Sequence, residues 1–501
     1  MRALFFAVIL IFSLCTFGYS AETGRYLVPV KKSDLNPSRE HVCVLEQCYY
    51  IVDKISAERS VMSGETEVYY PVVERKFHAA PNDSYYSYQW HLSNSTINWL
   101  SGWEKIKNFS SSSNSYSNIP IVAVIDTGIV DHEDLPTSAL YGGQPYESLH
   151  ANPDTYGVDE NGHGAHVAGI IGALTNNNRG VASAAGGKVR IMSIRVSAPC
   201  SKPGEEGCLS TLGILEAIEM ILNEKVNNNA PIVAVNMSYG SPEGSSSDSD
   251  PEYKAIKQLR DHGIIAVTSA GNSKLNLDAN NSYPAEYDLD NIVAVAAVGR
   301  TLQIASYSNY GSSVDIAAPG GDGDGDDCGS LMTTKILSLY IESGNRKYIC
   351  MNGTSMASPY IAGAIGAAAA LYNRDQPSYP GTISYPDITY RQLIDILYGT
   401  ARTRNFGAKY INGDRLIDVG AFFQRVEDCR EESKNTLLPC TLADLPPAPP
   451  PAPPAPPPYD DGGWDKSSSG GCSISPQDNG AAASLLLFLA IPLFIALRRR
   501  V

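Results

Sequence analysis

The sequence predicts an α/β protein: a doubly wound, mostly parallel sheet flanked by helices, preceded by a small α+β unit. Three observations carry this. Between about Asn118 and Phe423, short runs rich in Val, Ile and Ala on both faces read as strands buried on both sides. Helix-length segments separate them, as crossover connections of a parallel sheet require. Gly and Asn mark the ends of the runs, where the ligand sites of such sheets form.

In chain order the expected strands are Ile121 to Ile125, Val189 to Val196, Ile232 to Met237, Ile264 to Ser269 and Ile292 to Val298. The expected helices are His163 to Leu174, Leu212 to Asn223 and Tyr253 to Asp261. The stretch from Ala21 to about Ala80 is more charged, is poorer in Gly and has its own strand-like run at Val68 to Val73. It reads as a separate small unit, and no internal repeat is visible.

Composition narrows the function. The chain has 501 residues, 43% of them hydrophobic and 18% charged, with a formal net charge of −15. That is a globular chain with a full core, long enough for about two to four domains. Its acidity excludes a nucleic-acid partner, which needs a basic footprint, and suits an exported protein.

Both ends carry targeting features. Met1-Arg2, the apolar run Ala3 to Phe17 and the small-residue patch at Gly18 to Ala21 form a signal-peptide pattern over residues 1–20. Residues 446–480 begin with a stiff polyproline spacer and continue as a polar Gly/Ser linker holding Cys472. Residues 481–501 hold an apolar segment, Ala481 to Leu497, and the basic cluster Arg498 to Arg500. The segment is just long enough to cross a thin hydrocarbon layer with the arginines on the cytoplasmic side. The tail resembles bacterial tripartite sorting signals, which are cut after export; a retained membrane anchor is the alternative. Ten cysteines are present, and eight remain once Cys15 and Cys472 are set aside with the ends. They lie as neighbours, Cys43/Cys48, Cys200/Cys208, Cys328/Cys350 and Cys429/Cys440. Eight cysteines allow 105 connectivities; an even count in an exported chain favours disulfides, and neighbour pairing is the simplest expectation.

Four segments carry groups suited to nucleophilic chemistry. IVAVIDTG, Ile121 to Gly128, is an apolar strand ending in Asp126. A carboxylate there is costly unless paired, although turn aspartates are common. NGHGAHVAGIIG, Asn161 to Gly172, opens a helix of small residues with His163; His166 shares its face and reads as a structural histidine. MNGTSMASPYIAG, Met351 to Gly363, sets Ser355 at the start of a long helix, where free N–H groups favour negative charge. Alone it also reads as an ordinary N-cap. IAVTSAGNS, Ile265 to Ser273, holds Asn272 just past its strand, an amide donor available to a developing oxyanion.

Asp, His and Ser in this chain order form the subtilisin arrangement of the hydrolytic triad, and the sequence resembles the subtilisin-like serine peptidases over roughly Asn82 to Val426. The resemblance implies a secreted serine endopeptidase with Asp126, His163 and Ser355 as its triad and Asn272 as oxyanion donor. It implies substrate contacts from Ser238, Tyr239 and Gly240 on one side and Ala270-Gly271 on the other, with Ser282 at the pocket floor. Residues 21–80 then correspond to an inhibitory, folding-assisting propeptide, residues 82–426 to the peptidase domain and residues 427–445 to a C-terminal extension. The implied partners are protein or peptide substrates, the propeptide, the export machinery and a protease that processes the tail. No cofactor is implied for catalysis. Asp134 matches a family calcium ligand, although the loop Thr175 to Gly180 is short, and the acidic run Gly320 to Asp327 is a second candidate. Ala165 stands where the family usually has threonine. A catalytically silent binding module and a surface protein acting through its Pro-rich tail are the rival readings.

Overall fold

The structure, a computed structural model, describes residues 80–440 except 109–118, 130, 152–158, 160, 201–206, 324–327, 329–332, 343–344, 375–386 and 437–438, together with four strands nearer the N-terminus. Those strands are β1 (Glu22–Lys31), β2 (His41–Val44), β3 (Gln47–Asp53) and β4 (Tyr70–Val73). They form an antiparallel sheet in the order β2-β3-β1-β4, with Cys43 directly opposite Cys48 in the β2–β3 register.

The main body follows with α1 (Trp99–Ile106), β5 (Ile121–Asp126), β6 (Tyr146–Glu147), α2 (His163–Gly172), β7 (Arg190–Arg195) and α3 (Thr211–Asn227). Then come β8 (Ile232–Met237), α4 (Pro251–Asp261), β9 (Ile265–Ser269), β10 (Ile292–Val298) and β11 (Ile316–Pro319). A hairpin, β12 (Ile336–Glu342) and β13 (Asn345–Met351), precedes the long helix α5 (Thr354–Asn373). The body ends with α6 (Tyr390–Thr400), β14 (Arg402–Thr403), β15 (Arg415–Leu416) and α7 (Val419–Thr436).

Nine strands form the central sheet in the order β14-β15-β11-β10-β9-β8-β5-β7-β6, parallel throughout except where β14 meets β15. The chain adds β6 and β7 on one side of β5, then β8 to β11 on the other. The order therefore reverses beside β5, which leaves a crevice outside the carboxyl ends of β5 and β8, the position where ligands bind in open α/β sheets. All five expected strands and all three expected helices are present, with ends within a few residues of expectation.

Helices α1, α2, α5, α6 and α7 share one core with the upper sheet face, and α3 and α4 share a second core with the other. The Ala- and Gly-rich sequence of α5 lets it run buried from Thr354 to Tyr372. The expected boundary at Val426 falls inside α7, which continues past it and is tied by the Cys429–Cys440 disulfide. Val426 and Cys429 are both fully buried on that helix, so it packs against the body on both sides of the expected boundary. Cys200–Cys208 and Cys328–Cys350 are also bonded as neighbours. The signal-like segment, the proline-rich linker and Ala481 to Leu497 lie outside the described residues, among which no helix is long and apolar enough to cross a membrane.

Candidate active site

Asp126 ends β5 and is 2% exposed. Its Oδ1 accepts hydrogen bonds from Thr127 N at 2.7 Å and from His163 Nδ1 at 2.7 Å. That bond puts the Nδ1 proton toward Asp126 and leaves Nε2 as the basic nitrogen.

What holds His163 there is the close approach of α2 to the end of β5. A Cβ on Gly164 would lie 2.2 Å from Gly128 O and 2.8 Å from Gly128 N, so only a glycine lets the helix start this near the strand. The helix then begins with His163 itself, behind Gly162 in the left-handed region at φ 81°. Burial disfavours the charged imidazole, but the Asp126 carboxylate, through its charge and its hydrogen bond, and Asp159 more weakly, outweigh it. The His163 pKa is therefore raised.

His166, one turn on, is the structural residue expected: Nε2 donates to Ile336 O and Ile349 O, fastening the β12–β13 hairpin over α2. Burial and the nearby His163 push its pKa down to about 3, so it stays neutral.

Ser355 is the second residue of α5. Pro359, four residues on, has no N–H, so the Ser355 carbonyl loses its helical partner. Ser238 Oγ donates to that carbonyl at 3.2 Å and lies 2.9 Å from Ser358 Oγ. The Ser355 hydroxyl in turn donates to Ser238 O at 3.2 Å. Ser355 and Ser238 are thus bound in both directions, and among the described residues the Ser355 hydroxyl makes no hydrogen bond to His163. Ser238 also lines, with Asp126, Thr127, Asn161, His163, Gly207 and Leu209, a cavity enclosing about 240 Å³, part of it open to solvent. The candidate nucleophile is therefore one hydrogen bond from a cavity that His163 borders.

Asn272 is exposed just past β9. Its Oδ1 accepts from Thr354 N at 2.9 Å and Thr354 Oγ1 at 2.8 Å, which fixes the amide and leaves Nδ2 with no protein partner among the described residues. A locked amide with a free N–H pair, hydrogen-bonded to the first residue of a buried helix, is what an oxyanion donor needs.

The two expected substrate-binding segments face each other across Ser282. Its hydroxyl donates to Ala270 O at 3.1 Å and lies 3.4 Å from where a Cβ on Gly240 would sit. Gly271, at φ 102°, has no room for a side chain, because a Cβ would meet Asn309 Nδ2 at 2.5 Å. Tyr239 points the other way: its side chain is buried in the core under α4 and its hydroxyl donates to Glu252.

Asp134 is fully buried, with Oδ1 accepting from Asn177 Nδ2 at 2.7 Å and Oδ2 from Val181 N at 2.8 Å. Burial, then the neighbouring Asp83 and Glu133, push its pKa up to about 7. The buried Asp83 accepts from the backbone of Asn176 and Asn177 on the same loop. Among the described residues neither carboxylate has an ion-pair partner, so the loop concentrates uncompensated negative charge. Most of the acidic run Gly320 to Asp327 lies outside the described residues.

Three contributors were not visible in the sequence. Gly207 and Leu209 line the cavity where backbone bonds from Ala198 N to Cys208 O and from Ser210 N to Val196 O hold the chain beside the end of β7; the cysteine pair was the only signal. Asp159 is the third. It is buried and accepts hydrogen bonds from both the end of β5 and the start of α2. An acid just ahead of an apolar helix reads from sequence as a helix-start signal and no more.

Comparison with known proteins agrees with this fold. The subtilase family profile matches residues 117–410, and the chain belongs to that family of subtilisin-like serine peptidases. It is 32% identical over 352 residues to an extracellular protease of Xanthomonas campestris pv. campestris, covering 64% of this chain and 54% of that one. It thus spans about half the length of that relative. It is 32% identical to subtilisin DY of Bacillus licheniformis over 60% of this chain and 90% of that one. Among solved structures it is similar to a protease of Pseudoalteromonas arctica, with a TM-score of 0.51 and 28% identity, covering 70% of this chain and 100% of that one.

Proposed function

We propose that the protein is a secreted serine endopeptidase, made as a precursor, that hydrolyses peptide bonds of proteins through an acyl-enzyme. The observation that supports this most is the buried Asp126–His163 bond at the sheet's switch point, bordering the same cavity as Ser238, to which Ser355 is hydrogen-bonded.

In this reading a substrate peptide lies between Ser238–Gly240 and Ala270–Gly271. Its binding frees the Ser355 hydroxyl from Ser238 O, and His163 Nε2 takes the hydroxyl proton as Oγ attacks the scissile carbonyl. Asp126 holds the Nδ1–H tautomer and stabilises the imidazolium. The Asn272 amide and the Ser355 N–H receive the oxyanion, and His163 then protonates the leaving amine. Water, deprotonated by the same imidazole, hydrolyses the ester. Residues 21–80 act as the propeptide. Export machinery and a tail-processing protease are the further partners.

The charge on Asp134 and Asp83 fits a bound cation, and calcium is the ion the resemblance points to. Asp134 with loop residues 174–181 would hold it, and it would neutralise those carboxylates without entering the reaction.

Ser355→Ala tests the proposal: the precursor should persist and unfolded protein should not be digested. Normal maturation of that variant, expressed without other proteases, would refute it. The Ser355–Ser238 bond is the observation that favours a silent module instead; covalent labelling by a fluorophosphonate separates the two.

A further inference from the structure

Helix α2 starts with an unusual problem. Its N-cap is Gly162, which has no side chain to accept from the free N–H groups of the first turn. Those groups flank the candidate base and must find acceptors elsewhere. Asp159 takes two of the four, and the N–H of Asn161 just ahead of them. Its Oδ1 accepts from Gly162 N at 2.8 Å and from Asn161 N at 3.3 Å, and its Oδ2 accepts from Ala165 N at 2.9 Å. His163 N donates to Asn161 Oδ1 at 3.2 Å.

The same carboxylate reaches the strand. Thr127 Oγ1 donates to Asp159 Oδ1 at 2.9 Å and accepts from Gly164 N at 2.9 Å, while Thr127 N donates to Asp126 Oδ1. Asp159 thus grips the residue after Asp126 and the residues on both sides of His163. Burial, and the Asp126 charge more weakly, push its pKa up, and the donors from Gly162, Ala165 and Thr127, the contacts that favour the ionised form, offset only part of this.

We infer that Asp159 is a positioning residue for the reaction, its carboxylate fastening the end of β5 to the first turn of α2 and so holding the His163 ring against Asp126. This rests on the peptidase reading of the site. It also explains how the chain manages with Ala165: the N–H of that residue is held by Asp159, so no hydroxyl is needed at position 165 to anchor the turn.

The charged and titratable groups acting on His163 are Asp126 from β5, Asp159 from the preceding loop and His166 from its own helix. The Arg195–Glu147 ion pair lies beyond Gly128. Of the two carboxylates, Asp126 acts by contact and Asp159 by charge across the turn.

The test is Asp159→Asn, compared with Thr127→Val and Thr127→Ser, each normalised by active-site titration with a fluorophosphonate. In Asp159→Asn one carboxylate oxygen becomes an NH2 group facing a donor, and the charge is lost. Its kcat should fall about 10- to 100-fold with KM little changed, since a displaced base costs transition-state and not ground-state interactions. The acid limb of its kcat/KM profile should move to lower pH. Thr127→Val should lose kcat similarly with the limb unmoved, and Thr127→Ser should retain it. An Asp159→Asn enzyme within twofold of wild type in kcat, with an unmoved acid limb, would overturn the assignment. If Asp159→Asn does not accumulate, the Thr127 pair decides: equal kcat in Thr127→Val and Thr127→Ser would overturn it as well. Failure of wild type to label would instead refute the peptidase reading.

Discussion

Replacing Gly164 with alanine tests how the site is held together. The new Cβ would lie 2.2 Å from Gly128 O, a backbone atom with no rotamer to escape into. An ordinary carbon–oxygen approach is about 3.3 Å, so strand end and helix start must part by about 1 Å. Overpacking of this kind costs about 1–3 kcal/mol of stability. The catalytic consequence is larger, because a displacement of about 1 Å between reacting groups can cost about 10²-fold in rate. The Asp126–His163 bond, at 2.7 Å, lies directly beside the wedge. The assay is kcat and KM on a peptide amide, per titrated site, with a thermal melt in parallel. The expected result is a fall in kcat near two orders of magnitude, a small change in KM and a lowered Tm. A Gly164→Ala enzyme within twofold of wild type and with unchanged Tm would refute the claim that close helix–strand approach positions the base.

Three other outcomes follow from the same structure. Because the His163 pKa is raised above its ordinary 6.5, the acid limb of kcat/KM should lie above pH 6.5, and the stabilisation from its pairing with Asp126 should fade as pH rises through that folded value; a limb below 6.5 would contradict it. Asp134 has a folded pKa of about 7 against 3.8, so without metal its ionisation destabilises the fold as pH rises between those values. Chelator should therefore lower Tm at pH 8, and Asp134→Asn should be less sensitive to chelator than wild type; equal sensitivity would argue against Asp134 as a ligand. Ser238→Ala should cost about 1–3 kcal/mol in denaturant unfolding, because the Ser355 carbonyl that Pro359 leaves free loses its donor; an unchanged midpoint would rule out that role.

The candidate reacting groups were legible because each sits in a short local pattern: Asp126 ends an apolar strand, His163 and Ser355 open small-residue helices, and Asn272 follows a strand. Alternation of apolar runs with helix-length segments was enough for the sheet. What could not be read depends on which backbone atoms meet in space. Asp159 matters because a glycine N-cap leaves three nearby N–H groups pointing at it. Ser238 matters because of a proline 121 positions later in the chain. The charged sequence after Val426 hides a helix face, Val426, Cys429 and Ser433, that is buried against the body. The Tyr239 side chain turns into the core, which its neighbours Ser238 and Gly240 do not dictate.

The most direct measurement is mass-spectrometric mapping of a fluorophosphonate adduct on the mature protein. The account predicts a single adduct on Ser355, abolished in Ser355→Ala and reduced at least tenfold in a folded His163→Ala variant. A folded wild-type protein that takes no label, or takes it on another residue, would contradict it.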